Sequence, residues 1–331
     1  MSRIGIGLIG VGKHGIRYAT HITRDVPDLR LVAIARRDTD AARLQAVQFG
    51  CRVYADYREM VAAPDVDAII VVVPPTAHPE IMEVAAAARR PVLLEKPAAA
   101  NLADGQRILG AVSTAGIPVM VAQTVRYTSV VRVLLQERDK IGELHGLRLS
   151  QRFEPSRPGW IDEPTIAGGG MTLHTGVHVF DLARVLTRME ADRVSCEMAK
   201  VGTLHTEDNF AAVIRFGQGA VLADIAGSRA TASRCGAIEM VGEHGQLIAD
   251  HVFNIVSIVR GTVPTPLAVP PPVPTVLGVL RDFAQALRTD TPMPIPLEEG
   301  LRAVAIADAC YASARSGKAE VVSPLSDTAD S

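Results

Sequence analysis

Two short stretches of the sequence hold residues suited to proton chemistry. In the first, the apolar run Val92–Leu94 ends abruptly in Glu95, Lys96 and Pro97. A parallel strand buried on both faces is a continuous apolar run, and open α/β sheets bind ligands at the carboxyl ends of such strands. Lys96 is therefore a candidate catalytic residue. The alternative, a Glu–Lys pair on a solvated loop, is the more frequent meaning of this tripeptide taken alone.

The second stretch contains His174, His178 and Asp181, at spacings of four and three residues. On a helix this spacing puts all three on one face, so that their side chains can converge on one ligand. As metal ligands the histidines match an HxxxH spacing, but the general-base glutamate of zinc proteases and a third ligand are lacking, and no metal is predicted. Two interpretations remain open: core histidines, or an acid/base pair that titrates near neutrality.

A glycine-rich turn near the amino terminus matches the GxGxxG pattern of dinucleotide-binding proteins. It follows the apolar strand Ile4–Ile9 and precedes an amphipathic segment, residues 16–22, which is the context that the motif requires. The glycines are expected to form a tight turn, to let the backbone approach a pyrophosphate and to allow close helix packing. The predicted cofactor-binding residues of the turn are Gly10, Val11, Gly12, Lys13, His14 and Gly15.

The end of the second predicted strand indicates which nicotinamide cofactor binds. An NAD-specific site carries an acidic residue there, about 20 residues past the glycines, on the ribose hydroxyls. This sequence has Arg36 and Arg37 instead, and guanidinium groups bind a 2′-phosphate by charge-assisted hydrogen bonds. We therefore predict NADP(H) rather than NAD(H). The alternative is that both arginines are surface residues and that Asp38 caps the next helix.

Two further strand ends are expected to border the cofactor. The apolar run 68–73 leads into Pro74, Thr76 and His78, where Thr76 is suited to cap a helix through residue 88. His78 is a candidate contact for the ribose or nicotinamide, although a histidine in the first turn of a helix is more often a surface residue. Gln123 follows the sixth strand and is expected to face the cofactor because of that position.

The order of the elements predicts two domains. Six apolar strands alternate with helices through about residue 122, which is the pattern of a doubly wound parallel sheet. Strands joined by hairpin-like turns follow, such as 210–216 and 220–225 across the turn 217–219. We predict an α/β Rossmann NAD(P)-binding domain over residues 1–124. An α+β substrate-binding and oligomerisation domain with a largely antiparallel sheet is predicted over residues 125–331.

Composition argues against several classes of function. The 331 residues are 48% hydrophobic with a net charge of -2, so packed cores are expected and no global field attracts nucleic acid or an anionic membrane. The four cysteines are scattered without metal-binding spacing. The first residues enter a strand without a signal-peptide pattern, and no apolar run has the length of a membrane span. A cytoplasmic location is therefore expected.

Taken together, the motifs resemble those of the glucose-fructose oxidoreductase, inositol dehydrogenase and MocA family, abbreviated Gfo/Idh/MocA. Each motif is weak alone, but their order and spacing agree along nearly the whole chain. The resemblance rests on Gly10, Gly12 and Gly15, on Glu95-Lys96-Pro97, on Arg126-Tyr127, on Gly168-Gly169-Gly170, and on Gly176-Val177-His178 with Asp181. It makes the catalytic interpretation of Lys96 the preferred one.

The resemblance implies a pyridine-nucleotide oxidoreductase that acts on a sugar, polyol or related carbonyl compound. In that family the lysine matched by Lys96 lies between substrate and nicotinamide, and the histidine matched by His178 is an acid/base for the substrate oxygen. Glu95 then orients Lys96, both residues border the cofactor, and the bond into Pro97 is suited to the cis form. A homodimer or homotetramer is implied as well. With the loop residue Trp160, the predicted substrate-binding residues are Lys96, Arg126, Trp160, His174, His178 and Asp181.

His174 departs from the family pattern, which commonly has aspartate at this position. The predicted catalytic residues are thus Lys96, His178 and His174, with an imidazole where an anion is usual. Three consequences stay open: proton transfer by Lys96 and His178 alone, a substrate that carries a carboxylate, or loss of dehydrogenase activity. The alternative functions are a non-catalytic NADP(H)-binding sensor and an NAD-dependent glycoside hydrolase of the same family, against which Arg36 and Arg37 argue.

Overall fold

Two β-sheets organise the protein, whose computed structural model describes residues 2–36, 39–155 and 159–325. The strands of the first sheet are short and apolar. They are β1 (Ile4–Ile9), β2 (Leu29–Ala35), β3 (Arg52–Tyr54), β4 (Ala68–Val71), β5 (Val92–Leu94) and β6 (Val119–Val121). Their order is β3-β2-β1-β4-β5-β6, and each pair is parallel. The strand order reverses between β1 and β4, where doubly wound sheets open a crevice for a ligand.

Helices connect these strands: α1 (Lys13–Arg24), α2 (Thr39–Phe49), α3 (Tyr57–Ala62), α4 (His78–Ala87) and α5 (Leu102–Ala115). At α5 the end signals act as expected, because the Asn101 side chain caps the first turn and Gly116 ends the helix with φ of 65°. Thr76 does not cap α4, and that prediction is wrong. It lies in the 3-10 turn Pro75–Ala77, and its hydroxyl donates instead to the carbonyl oxygen of Ile166 at 2.8 Å.

The second sheet is mostly antiparallel, as predicted. Its strands are β7 (Leu144–Arg152), β8 (Ala191–Ala199), β9 (Asn209–Phe216), β10 (Val221–Ser228), β11 (Cys235–Gly242), β12 (Gly245–Asp250), β13 (Ile255–Arg260), β14 (Val263–Pro266) and β15 (Glu320–Val321). Their order is β14-β13-β12-β11-β7-β10-β9-β8-β15. β7 and β10 pair in parallel, and the other pairs among the described strands are antiparallel.

The helices of the second half are α6 (Ser129–Glu137), α7 (Pro164–Ala167), α8 (Val177–Thr187), α9 (Thr275–Thr289) and α10 (Leu297–Ser316). A π-helical turn, Thr172–Gly176, leads into α8. Short 3-10 turns lie at Thr124–Tyr127, Arg138–Ile141, Gly159–Asp162 and Gly217–Gly219. None of the described helices combines the length and apolarity that crossing a membrane requires.

Each sheet packs against its own hydrophobic core. Alternation along β9 buries Phe210, Ile214 and Phe216 and leaves Val213 on the opposite face, as a sheet covered on one side requires. α9 belongs by sequence to the second half but packs into the core of the first sheet. The predicted boundary between residues 124 and 125 stays a prediction, and α9 ties the two halves together.

Candidate active site

The glycine-rich turn between β1 and α1 has an open surface at the carboxyl end of β1, an inner strand of the parallel sheet. Gly10 has φ of 89°, which residues with a side chain rarely adopt. A Cβ at Gly15 would lie 2.0 Å from the carbonyl oxygen of Gly10, so α1 packs closely only with glycine here. A Cβ at Gly12 would meet no described atom within 4 Å. These features, at the amino terminus of a helix, fit the pyrophosphate of a dinucleotide.

Glu95, buried at the end of β5, joins this turn to Lys96. Its Oε1 accepts hydrogen bonds from the hydroxyl of Tyr18 and from Nε2 of His14, both at 2.6 Å. Its Oε2 accepts the backbone N–H of Lys96 at 2.9 Å. Burial acts to raise the pKa of this carboxyl group, but the bonds from His14 and Tyr18 and the charge of Lys96 outweigh it and lower the pKa to about 2. Glu95 is therefore ionised and fixes the backbone of Lys96.

Lys96 reaches from the first sheet to the second domain. The Lys96–Pro97 bond is cis. Nζ donates to the backbone carbonyl oxygen of His174 at 3.0 Å. Burial lowers the pKa of Lys96; the negative charge of Glu95 opposes this shift, and the positive charge of Arg229 adds to it. The amine thus lies where the cofactor turn and the second domain meet.

His174, His178 and Asp181 have different hydrogen-bond partners among the described residues, and their convergence on one ligand stays a prediction. The π-helical turn is wider than an α-helical turn, so residues four apart in it no longer lie above one another. Nε2 of His174 donates to the carbonyl oxygen of Ala167 at 3.0 Å. Trp160 packs edge-on against the same ring, with the centroids 5.6 Å apart.

His174 and His178 are both held neutral. Burial, followed by the charges of Lys96 and Arg229, lowers the pKa of His174 to about 3. Burial and the charge of Lys96 hold the pKa of His178 well below its usual range. Nδ1 of His178 is enclosed and has no hydrogen-bond partner among the described residues. The neutral form of an imidazole is the form that accepts a proton.

Arg126 and Asp181 bind each other. The guanidinium donates to both oxygens of Asp181, at 2.7 and 2.5 Å, and to Glu299 at 2.7 Å. Arg184 joins the network through Glu299 at 3.0 Å. Because removal of one member would leave a buried charge unpaired, this network has a clear structural role. A role of Arg126 or Asp181 in binding substrate stays a prediction.

The residues predicted to border the cofactor after β4 and β6 differ in their surroundings. His78 is fully buried rather than on the surface, with Nδ1 3.1 Å from the carbonyl oxygen of Ala98 and Nε2 3.1 Å from that of Val73. Pro74 precedes the 3-10 turn. Gln123 is 1% exposed, and its Oε1 has no partner in the described part of the chain. Contact of these residues with a cofactor stays a prediction.

Arg36 lies beside the glycine-rich turn. Its Nη1 donates to the carbonyl oxygen of Val11 at 3.2 Å, and the side-chain amide of Gln45 donates to the same oxygen at 3.0 Å. Lys13 is exposed at the first residue of α1. Arg37 lies outside the described residues. Arg36 thus lies next to the glycine-rich turn, at the end of β2.

Several polar residues at this site have no motif that reveals them in the sequence. Tyr18 lies one helical turn beyond His14 and binds Glu95. His251 follows β12, and its Nε2 lies 2.8 Å from Oε1 of Gln151 in β7. Arg229 follows β10 directly. A polar residue at the end of a predicted strand of the second sheet is the one signal that would have found the last two.

The open glycine-rich turn on a Rossmann sheet, with a lysine and a neutral histidine at the junction with a second domain, defines a nicotinamide-dependent oxidoreductase. The chain belongs to the Gfo/Idh/MocA oxidoreductase family. The family's NAD-binding Rossmann fold matches residues 4–123, and its C-terminal alpha/beta domain matches residues 135–323. The resemblance drawn from the motifs is confirmed.

The relatives include dehydrogenases of sugars and polyols. Myo-inositol 2-dehydrogenase of Thermotoga maritima is 29% identical over 255 residues, which are 75% of each chain. D-apiose dehydrogenase of Paraburkholderia graminis is 26% identical over 334 aligned residues, 94% of this chain and 88% of the relative. An aldose-aldose oxidoreductase from Caulobacter crescentus, crystallised with glycerol, has the same fold: its TM-score is 0.88 at 21% identity, over 97% of this chain and 100% of the other. The protein is thus an enzyme of an oxidoreductase family of sugar and polyol dehydrogenases.

Proposed function

We propose that the protein is an NADP(H)-dependent oxidoreductase that moves a hydride between nicotinamide and a hydroxyl or carbonyl group of a sugar, polyol or related compound. The position of Lys96 carries the proposal. Its backbone is tied to the glycine-rich turn through Glu95, and its amine contacts the second domain at His174. A group in this position can touch both the cofactor and a substrate.

The bound nicotinamide supplies or accepts the hydride. Lys96 presents its ammonium group to the substrate oxygen and stabilises the alkoxide that develops as hydride moves. His178, kept neutral by burial and by Lys96, accepts the proton of a substrate hydroxyl or returns it to a carbonyl. Glu95 holds the backbone of Lys96 and keeps the amine in place.

The activity is tested by following the absorbance of reduced nicotinamide while the purified protein is offered NADP+ or NAD+ with myo-inositol, aldoses and their polyols. We expect cofactor reduction with at least one of these compounds. Tight cofactor binding without hydride exchange across the panel would contradict the proposal and favour the non-catalytic sensor. One observation supports that second candidate: the His174 ring donates to Ala167 and supplies no anionic partner for Lys96.

Arg36 supports the choice of NADP(H), since its guanidinium lies at the turn beside which the ribose of the cofactor is expected. Calorimetry with both cofactors tests this choice. We expect NADP+ to bind at least about tenfold more tightly than NAD+, and Arg36→Gln to weaken NADP+ alone. Arg24→Gln, at the exposed far end of α1, is the control. A clear preference for NAD+ would contradict the proposal.

We also propose a homodimer or homotetramer built on the open face of the second sheet. The face opposite the core exposes apolar side chains: Val213 is 55% exposed, Leu222 57% and Ile248 45%. Such a patch favours association. Light scattering is expected to give a mass of two or four chains, which Leu222→Lys lowers and Val47→Lys, on exposed α2, does not. A monomeric wild type would contradict the proposal.

A further inference from the structure

Arg229 is a buried arginine at the end of β10. Its backbone N–H donates to the carbonyl oxygen of Asp208 at 2.8 Å. The preceding strand packs against the π-helical turn that carries His174, since a Cβ at Gly227 would lie 2.9 Å from Cε of Met171. The side chain lies close enough to Lys96 and His174 for its charge to act on both. Arg229 therefore belongs to the region of the candidate active site.

The guanidinium of Arg229 is unpartnered although the residue is only 6% exposed. It forms no hydrogen bond or ion pair with any residue in the described part of the chain. Two other arginines, one buried and one half-buried, differ. Arg184, 5% exposed, pairs with Glu190 and Glu299, and Arg126 pairs with Asp181. A buried guanidinium stays charged and is costly without a partner, so an anion bound there would stabilise it.

The neighbouring carboxylates are already engaged. Glu207 accepts the N–H groups of Gly170 and Thr172, at 3.2 and 2.9 Å, and the hydroxyl of Tyr311 at 2.8 Å. Asp208 accepts two backbone N–H groups and the Asn209 amide, all within 2.8 Å. Both raise the pKa of Arg229 through space, after burial has lowered it. Neither one binds the guanidinium, whose donors are left for a ligand.

Beyond Arg229, the side chains around Lys96 are neutral histidines and a carboxylate that is already engaged. His174 and His178 lie close enough for the charge of Lys96 to lower the pKa of both, and the oxygens of Glu95 are occupied by Tyr18, His14 and the Lys96 backbone. Among charged residues, arginine is the one whose planar fork matches a carboxylate with two parallel hydrogen bonds. The arrangement suits an anionic substrate better than a neutral one.

We propose that the substrate is a sugar acid whose carboxylate is bound by Arg229. This inference rests on the proposed oxidoreductase function and narrows its substrate class. In the oxidative direction the C–H bond of a carbinol breaks and its electron pair leaves as hydride to NADP+. The O–H proton passes to His178, and the C=O bond forms. The carboxylate takes no part in the bond changes and anchors the substrate.

The test compares hexuronates with the hexoses that share their ring stereochemistry: D-glucuronate, D-galacturonate and D-mannuronate with D-glucose, D-galactose and D-mannose. Turnover is measured with NADP+, and binding to the NADPH-loaded protein is measured by calorimetry. Arg229→Gln removes the charge, and Arg229→Lys keeps the charge without the fork. Arg234→Gln, an exposed arginine paired with Glu154 at 2.7 Å, is the control.

We expect at least one hexuronate to have a kcat/KM about tenfold or more above that of its hexose. Arg229→Gln should lower the kcat/KM of the uronate about 100-fold more than that of the hexose, and Arg229→Lys should have an intermediate effect. Equal use of both classes, or an acid preference that survives Arg229→Gln, would overturn the carboxylate site and leave the oxidoreductase intact. Arg229-dependent uronate binding without hydride transfer would support the site and contradict the proposed function. No binding of any uronate would overturn the site.

Discussion

Two charged side chains act on Lys96, the carboxylate of Glu95 and the guanidinium of Arg229. The carboxylate of Glu95 is ionised, but Tyr18, His14 and the backbone of Lys96 occupy its oxygens. The Glu-Lys-Pro motif is visible in the sequence because three adjacent residues carry it. Arg229 is not visible, since it is a single polar residue after a strand, and only the packing of β10 beside the π-helical turn brings it to the site.

Replacement of Lys96 by methionine keeps an unbranched side chain one atom shorter and removes the charge. We expect Lys96→Met to lower kcat about 10²- to 10³-fold, because removal of one group that stabilises the developing charge costs about that much. NADP+ affinity should change little, since the glycine-rich turn is intact. Steady-state kinetics and calorimetry measure the two effects.

Lys140→Met serves as the control for this variant, because Lys140 is exposed and pairs with Glu137. It should retain wild-type kcat. Unchanged kcat in Lys96→Met would remove Lys96 from the chemistry. Equal loss of cofactor binding and turnover would make its role structural.

In the glycine-rich turn, the effect of a substitution on cofactor binding can be measured separately from its effect on helix packing, because two of the glycines have different surroundings. Gly12→Ala puts a methyl group into open space, and Gly15→Ala puts one 2.0 Å from the carbonyl oxygen of Gly10. We expect Gly12→Ala to keep its stability within about 0.5 kcal/mol and to weaken NADP+ binding about tenfold, because the pyrophosphate needs this space. Thermal unfolding and calorimetry distinguish the two.

Gly15→Ala should instead lower the melting temperature, since α1 must move away from the turn. Equal melting temperatures for the two alanine variants would contradict the packing role of Gly15. Full NADP+ affinity in Gly12→Ala would show that the cofactor does not lie over this turn.

The periodicity after residue 170 predicts one regular helix, and α8 confirms its second half. The first half is a π-helical turn, whose extra residue leaves no mark on the spacing of apolar positions. The direction of the His174 side chain therefore could not be predicted, although its position on the chain could. Thr76 illustrates the same limit, because its hydroxyl donates a hydrogen bond to the carbonyl oxygen of Ile166, 90 residues away, and does not cap the helix next to it.

Over the whole molecule, alternating strands and helices sufficed to predict a parallel sheet followed by an antiparallel one. The packing of α9 against the core of the first sheet could not be predicted, because it depends on tertiary contacts between distant segments. Several histidines lie in surroundings that favour their neutral form. Burial lowers the pKa of His78, His178 and His251 as well as that of His174.

Because these histidines are neutral in the folded protein, the free energy of unfolding depends on pH. The pKa of His174 falls from 6.5 to about 3 on folding, so the unfolded chain binds its proton first and stability is lost as the pH falls below about 6.5. When the pH falls from about 7.5 to 5.5, the free energy of unfolding of the wild type should decrease by about 1.4 kcal/mol more than that of His174→Gln. Urea unfolding at both pH values measures this difference.

His205→Gln, at an exposed histidine in the loop before β9, is the control. Its free energy of unfolding should decrease with pH as much as that of the wild type. The comparison uses the change with pH, so a constant cost of either substitution cancels. An equal loss in wild type and His174→Gln would show that His174 is not buried in its neutral form.

Transfer of the hydride itself is the most direct test of the account. The protein is incubated with NADPH carrying two deuterium atoms at the reacting carbon of nicotinamide and with the oxidised forms of the polyols and sugars that support turnover, and the products are analysed by mass spectrometry. We predict one deuterium per turnover on the carbon that becomes the carbinol, and about 100-fold less labelled product in Lys96→Met at matched times. Products without deuterium would contradict hydride transfer between nicotinamide and substrate.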